Sequence, residues 1–199
     1  MYEKFIQWLP ILVVFIAGAF ALHQIRSNNI TNARIKWLEN LKQIISDFFS
    51  ECAILQLKWG LLQRIDEESK LTTTNQNIQS FYDKINDSII DNLKIIESKH
   101  DLIKLNLNPK ENLHLKFENI LDIYMRIIDE IPSNKNLEKY EGLVKGLAAY
   151  SETLKLLIRY IMKLEWEKTK RSYLSKYCYM KFGKGKKILK EAMSLKEKF

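Results

Sequence analysis

The hydrophobic and polar positions of this chain divide into one uninterrupted apolar stretch and four segments with helical periodicity. Residues 5–22 read FIQWLPILVVFIAGAFAL and carry no charged side chain. These 18 residues, at a helical rise of 1.5 Å, reach about 27 Å, close to the hydrocarbon thickness of a bilayer. The stretch predicts a transmembrane helix. A cleaved signal peptide is the alternative, because Ala19-Phe20-Ala21 could serve as a cleavage site.

Particular residues of the predicted span support its placement in a membrane. Trp8 is typical of an aromatic anchor at the interface. Ala17 and Ala21, with Gly18 beside them, are small enough to let helices approach closely in lipid. The residues assigned to the span are Phe5, Trp8, Pro10, Ala17, Gly18 and Ala21.

Basic residues follow the span and predict its orientation. Arg26, Arg34, Lys36 and Lys42 precede any cluster of acids. The positive-inside rule therefore places the N-terminus outside and the remainder in the cytoplasm. The localisation predicted from the residues is a single-pass membrane protein with its N-terminus outside and its C-terminal domain in the cytoplasm.

The first cytoplasmic segment has apolar residues spaced alternately three and four apart, as in a coiled coil. It is predicted to be one helix from about Thr31 to Ile65, preceded by a polar hinge at Ser27-Asn28-Asn29. The apolar seam, available to a bundle or to an oligomer, consists of Leu38, Leu41, Ile45, Phe48, Cys52, Leu55, Trp59 and Leu62.

Three further helices follow a predicted loop at residues 66–77. The second is centred on Ile85 and Ile89. The third is predicted to start with Asn108 as N-cap and Pro109 at the first helical position, and to end near Ile131. The fourth begins near Leu137 and repeats the long seam, which predicts that it pairs with the first.

The pattern predicts an all-α fold in which an N-terminal transmembrane helix precedes a cytoplasmic up-down helical bundle. The domain boundaries are 1–27 for the transmembrane segment, 28–171 for the bundle and 172–199 for a basic tail.

Charge is concentrated at the C-terminal end. The net charge is +8, and residues 163–199 contain 12 Lys or Arg against 4 Asp or Glu. Lys184, Lys186, Lys187 and Lys190 are predicted to bind an anionic membrane surface. Two alternatives stay open: a solvated tail packed on the bundle, and RNA stacking on the tyrosines and phenylalanine interleaved with these lysines.

Candidate chemistry is sparse. His114 follows Glu111 at an E-x-x-H spacing, but a di-iron bundle needs two such pairs, so His114 is interpreted as a helix-surface residue. We expect no catalytic residue, no cofactor and no metal, and we interpret the protein as a non-enzyme. Cys52 and Cys178 are expected to be reduced.

Three stretches resemble a family of single-pass bacterial membrane proteins with a cytoplasmic helical domain. They are ITNARIKWLENLKQIISDF, LIKLNLNPKENLH and LIRYIMKLEWEKTK. The similar positions are Arg34, Trp37, Leu38, Leu41, Leu105, Asn108, Pro109, Glu111, His114, Lys163, Glu165, Trp166 and Lys168.

The layout is also similar to the small membrane accessory protein of type VI-B CRISPR systems. That resemblance implies a HEPN-like, pore-forming homo-oligomer that accompanies an RNA-guided RNA nuclease, although no Arg of this chain precedes a His at the HEPN spacing. The resemblance also implies localisation in the bacterial inner membrane. The function expected is a membrane-anchored oligomeric effector, a gated pore in antiphage defence. The alternative is a membrane-tethered adaptor that recruits a cytoplasmic protein or RNA partner without forming a pore.

Overall fold

The computed structural model describes residues 2–69, 76–131, 137–170 and 173–195, which are almost entirely helical and contain no strand. This confirms the all-α class. The six helices in these ranges are α1 (Tyr2–Ser69), α2 (Gln76–Asn106), α3 (Asn112–Glu130), α4 (Leu137–Thr169), α5 (Tyr173–Phe182) and α6 (Lys184–Ser194).

Helix α1 is 68 residues long and joins the apolar stretch to the seam without interruption. The hinge predicted at Ser27-Asn28-Asn29 is wrong, because these residues are helical. One window of α1 is long and apolar enough to cross a membrane, and none of it is buried within the chain. The helix also extends past Ile65 to Ser69, into the loop predicted at 66–77, whose central part lies outside the described residues.

Helices α1 and α2 pack antiparallel along most of α2. The Trp37 indole N–H donates to the carbonyl of Asn106 at 3.1 Å, while further along α1 the Lys58 ammonium donates to the carbonyl of Ser88 at 2.9 Å. Because the partners on α2 descend in number as those on α1 ascend, α2 runs back toward the apolar end of α1.

Helix α4 contacts both α1 and α3 and runs antiparallel to each. Arg34 pairs with Glu165 at 3.8 Å, and the Lys155 ammonium lies 5.5 Å from the centre of the Phe49 ring. The predicted contact between the first and fourth helices is therefore present, but α1 packs most extensively against α2, and α4 against α3.

The packed parts of the chain, residues 35–66, 79–131, 141–170 and 178–195, form what we call the helical body. They share a single apolar core. Phe48, Phe117 and Tyr124 are its largest fully buried side chains together with Leu41 and Leu55. Burial raises the pKa of the Cys52 thiol to about 12, so this cysteine packs as a small apolar residue.

The segment between α2 and α3 is a turn rather than the predicted helix start. The amide of Glu111 donates to the carbonyl of Asn108 at 3.0 Å, and the Asn108 side chain accepts from the amide of Lys110 at 3.1 Å. Pro109 thus occupies the second position of a β-turn, which suits its fixed φ. Glu111, three residues later than expected, is the N-cap.

Helix α6 packs on α3 and α4, with α5 against it. Gly183 separates α5 from α6 as the N-cap of α6, whereas Gly185 lies inside α6. A Cβ at position 185 would lie 2.6 Å from a ring carbon of Tyr179. Glycine is therefore required there for the close approach of α5 and α6.

Candidate functional site

A polar cleft of about 450 Å³ lies where α1 meets the ends of α2 and α4 and the start of α3. It is at the end of the helical body nearest the apolar stretch, since Arg34 follows Leu22 by 12 residues, or about 18 Å of helix. Its lining residues are Ile30, Ala33, Arg34, Trp37, Asn106, Leu107, Asn108, Glu111, His114 and Glu165.

A charged network closes one side of this cleft. The Lys168 ammonium donates to both carboxylate oxygens of Glu111, at 3.0 and 2.8 Å, and to Glu165. The side chains of Glu165 and Lys168 are only 7% and 8% exposed, so each needs the other. Arg34, one-third exposed, adds a second cation 3.8 Å from Glu165. Two carboxylates and two cations balance in charge.

His114 forms the floor of the cleft and is neutral there. Its Nδ1 accepts the amide N–H of Asn108 at 2.9 Å, so the ring proton lies on Nε2. Burial lowers the pKa of His114 below its usual value, against the opposing attraction of Glu111 and Glu165. The ring lies nearly parallel to Trp37, 17° between planes with 6.4 Å between centroids. The interpretation of His114 as a surface residue is wrong, because it is 3% exposed.

Ligand atoms of Glu111, His114 and Glu165 lie within 4.8 Å of one another, as a metal site would require. Two features oppose a metal there. Lys168 already supplies the positive charge between the carboxylates. A metal-ligating histidine normally donates its second ring N–H to an acceptor, whereas Nδ1 of His114 faces an N–H donor. The donor set fits a lysine-bridged ion network better than a metal centre.

The site residues assigned to the span and the seam both lie on α1. Pro10, Ala17, Gly18 and Ala21 are exposed, while for Phe5 and Trp8 only the helical backbone is described. The seam residues Leu38, Leu41, Ile45, Phe48, Cys52, Leu55 and Trp59 are buried inside the single chain, and Leu62 is half-buried. A second copy is therefore not needed to explain the seam.

Lys184, Lys186, Lys187 and Lys190 are exposed on α6. The interleaved aromatic pattern is only partly preserved in three dimensions, since Phe182 is exposed but Tyr179 is buried. The side chains of Tyr173 and Tyr177 lie outside the described residues.

Sequence reasoning assigned no site to Arg34, Trp37, Glu165 or Lys168, which the structure brings together with Glu111 and His114. A signal was present: these six residues come from the three stretches that carry the family resemblance. Their convergence in one cleft could have been proposed from that coincidence. Comparison of the chain with protein-family models, curated proteins and solved structures finds no match to any of them.

Proposed function

We propose that this protein is a membrane-tethered adaptor, anchored by residues 5–22 with its N-terminus outside, whose cytoplasmic helices form an up-and-down bundle that engages a partner at the polar cleft. The observation that carries the proposal is the continuity of α1. The same helix contains the apolar window and one wall of the cleft, Ile30 to Trp37.

The continuity of α1 supports a role in which binding at the cleft is mechanically coupled to the membrane segment. A bound partner that displaces Arg34 or Trp37 acts on a helix that continues into the lipid without a hinge. A tether on a flexible linker would not transmit such a displacement. The antiparallel contact series of α1 with α2 and α4 supports the up-and-down arrangement.

The test is anchoring and orientation of the full-length protein in bacterial cells. It should resist alkaline extraction of membranes. The exposed thiol of Cys178 should react with a membrane-impermeant maleimide only after the inner membrane is opened. Cys178→Ser is the labelling control. Release of the protein at alkaline pH would contradict the membrane tether. Labelling of Cys178 in intact spheroplasts would show that the C-terminal part lies outside, opposite to the proposed orientation.

A gated pore is the second candidate, favoured by the unpartnered apolar window of α1. Among the described residues, no atom outside the neighbouring backbone of α1 comes within 4 Å of a Cβ built on Gly18, so that face is open to another copy. The resemblance to the type VI-B accessory protein extends both candidates to antiphage defence, with an RNA-guided nuclease as partner. Cross-linking of Gly18→Cys in membranes, together with loss of membrane potential on expression, would support the pore. A monomer would exclude it.

A further inference from the structure

Helix α6 and the residue that follows α4 carry a basic surface on which neither function proposed above depends. We call it the basal surface: Lys170, directly after α4, with Lys184, Lys186, Lys187 and Lys190 of α6. The inference drawn from it rests on the proposed membrane tether. Lys170 follows the last helical residue of α4, Thr169, and its ammonium lies 4.9 Å from the ring centre of Trp166.

Helix α6 is fixed by its C-terminus near the end of the helical body that carries the cleft. The Lys116 ammonium, in the second turn of α3, donates to the carbonyls of Met193 and Leu195 at 2.9 and 2.5 Å. This satisfies carbonyls that a helix end otherwise leaves unpaired, and places a positive charge at the negative end of the helix. Since α3 begins at the cleft, α6 ends beside it.

The apolar face of α6 is used inside the chain. Gly185, Ile188 and Ala192 are buried, whereas Lys186, Lys187 and Lys190 are exposed. At 100° per residue the two groups lie on nearly opposite sides of the helix. An amphipathic helix that inserts in lipid needs its apolar face free. Contact of α6 with a membrane is therefore electrostatic.

The distances suit such a contact. The cleft lies about 18 Å beyond Leu22 along α1, and α4 extends about 6 Å further back toward the membrane, from Glu165 to Thr169. That leaves about 12 Å between the end of α4 and the level of Leu22, part of which is the headgroup layer, so Lys170 comes within a Debye length of about 8 Å of the anionic surface. Lys186, Lys187 and Lys190 precede the anchored C-terminus of α6 at Ser194 by four to eight residues, about 6 to 12 Å of helix, so the same contact requires α6 to lie along the bilayer surface.

We propose that the basal surface rests on the anionic headgroups of the membrane that α1 crosses, holding the helical body against the bilayer. Charge complementarity identifies the occupant, because the exposed face of α6 has four lysines and only Glu191 as an acid. Single-stranded RNA, the competing polyanion, binds by stacking successive bases on exposed aromatics. Tyr179 is buried against Gly185, so within the described part of the tail Phe182 is the one exposed aromatic ring, which offers RNA a single stacking platform.

The experiment uses the full-length protein in lipid nanodiscs. A nitroxide is attached at Met193→Cys, exposed on α6, in a Cys178→Ser background. Its collision rate with a nickel-chelating headgroup lipid is measured in phosphatidylcholine discs and in discs containing phosphatidylglycerol. The triple variant Lys186→Gln, Lys187→Gln and Lys190→Gln is compared with a matched triple, Lys84→Gln, Lys94→Gln and Lys145→Gln, whose lysines are exposed elsewhere on the body.

We expect headgroup collisions to be at least about twofold more frequent in anionic discs at low salt, and the excess to vanish in the α6 triple variant and at high salt but not in the matched triple. Equal collisions in neutral and anionic discs, or no effect of the α6 triple, would overturn the proposal. So would a labelled oligonucleotide that binds through these lysines while the nitroxide stays away from lipid. If the protein does not enter nanodiscs, the proposed membrane tether is contradicted. If it enters nanodiscs but the nitroxide makes no contact with headgroups, the tether stands and only the proposed role of the basal surface is contradicted.

Discussion

The pair of Glu165 and Lys168 is the least solvent-exposed ion pair in the described part of the chain, and its energetic role can be tested directly. Lys168→Met leaves Glu165 buried without its closest cation, which costs on the order of 3–5 kcal/mol of stability. The double variant Lys168→Met, Glu165→Met removes both charges and should recover much of this loss. Urea unfolding in mild detergent measures both.

The matched control for that cycle is Lys163→Met, five residues earlier on α4 and exposed. It should change stability by less than about 0.5 kcal/mol. If Lys168→Met left the free energy of unfolding unchanged, Arg34, at 3.8 Å, would be sufficient to balance the charge of Glu165.

His114 gives the folded protein a predicted sensitivity to acid. Because burial lowers its pKa, the unfolded chain binds a proton more readily below the ordinary value of about 6.5. Stability therefore falls as pH drops through this window, and levels off below the folded-state pKa. In His114→Asn, whose side-chain oxygen can still accept the Asn108 amide, that part of the pH dependence should disappear. Melting temperatures of both proteins between pH 7.5 and 5 are the measurement; parallel curves would contradict the prediction.

At the scale of elements, the periodic segments could be predicted from the sequence and their junctions could not. The C-terminal end of α3 and the start of α4 agree with the predictions at Ile131 and Leu137 to within a residue. The hinge at Ser27-Asn28-Asn29 failed because extending an existing helix through serine or asparagine costs only about half a kcal/mol per residue, whereas a break requires a new nucleation. The prediction that α3 starts at Asn108 failed because asparagine is favoured both in an Asx turn and at a helix N-cap, so the residue type does not distinguish them.

Continuity of α1 can be measured as a distance. Nitroxides at Leu22→Cys and Asn40→Cys, both exposed, lie 18 residues or five turns apart, so they share a face at about 27 Å. With Cys178→Ser, pulsed dipolar spectroscopy should give one narrow distribution. Asn28→Pro removes an internal hydrogen bond and should broaden or shorten it. A broad distance distribution in the parent protein would instead support a flexible hinge at Ser27-Asn28-Asn29.

The contact between α5 and α6 depends on one glycine. Gly185→Ala places a methyl group 2.6 Å from the Tyr179 ring, an overlap that should cost about 1–3 kcal/mol and loosen α6. Hydrogen exchange should then accelerate over residues 184–194. Gly142→Ala, in α4 with open space around it, is the control and should be neutral or stabilising. Unchanged exchange in Gly185→Ala would mean that the two helices separate at little cost.

At the scale of the molecule, a seam read from sequence identifies a buried face without identifying what buries it. The spacing from Leu38 to Leu62 fits an intermolecular coiled coil as well as an intramolecular core. The charged cleft could be suggested only by the three resembling stretches that supply its residues, because its local sequence patterns do not reveal it. Arg34, Glu111 and Glu165 are separated by 77 and 54 residues, and no local pattern indicates that three such side chains meet. Their meeting follows from the antiparallel register of α1 with α4, which the core residues determine.

The two readings of the seam predict different consequences for Leu55→Asp. In the single-chain arrangement Leu55 is fully buried, so an aspartate there introduces an unpaired charge into the core, at a cost of several kcal/mol. Helical circular dichroism and resistance to protease should therefore both be lost, whatever the oligomeric state. Glu39→Gln, exposed on the same helix, should preserve both. If Leu55→Asp stayed helical and protease-resistant while light scattering showed a smaller particle, the seam would be an interface between copies. The pore would then replace the tether as the leading function, because the same contact would bring several apolar windows together.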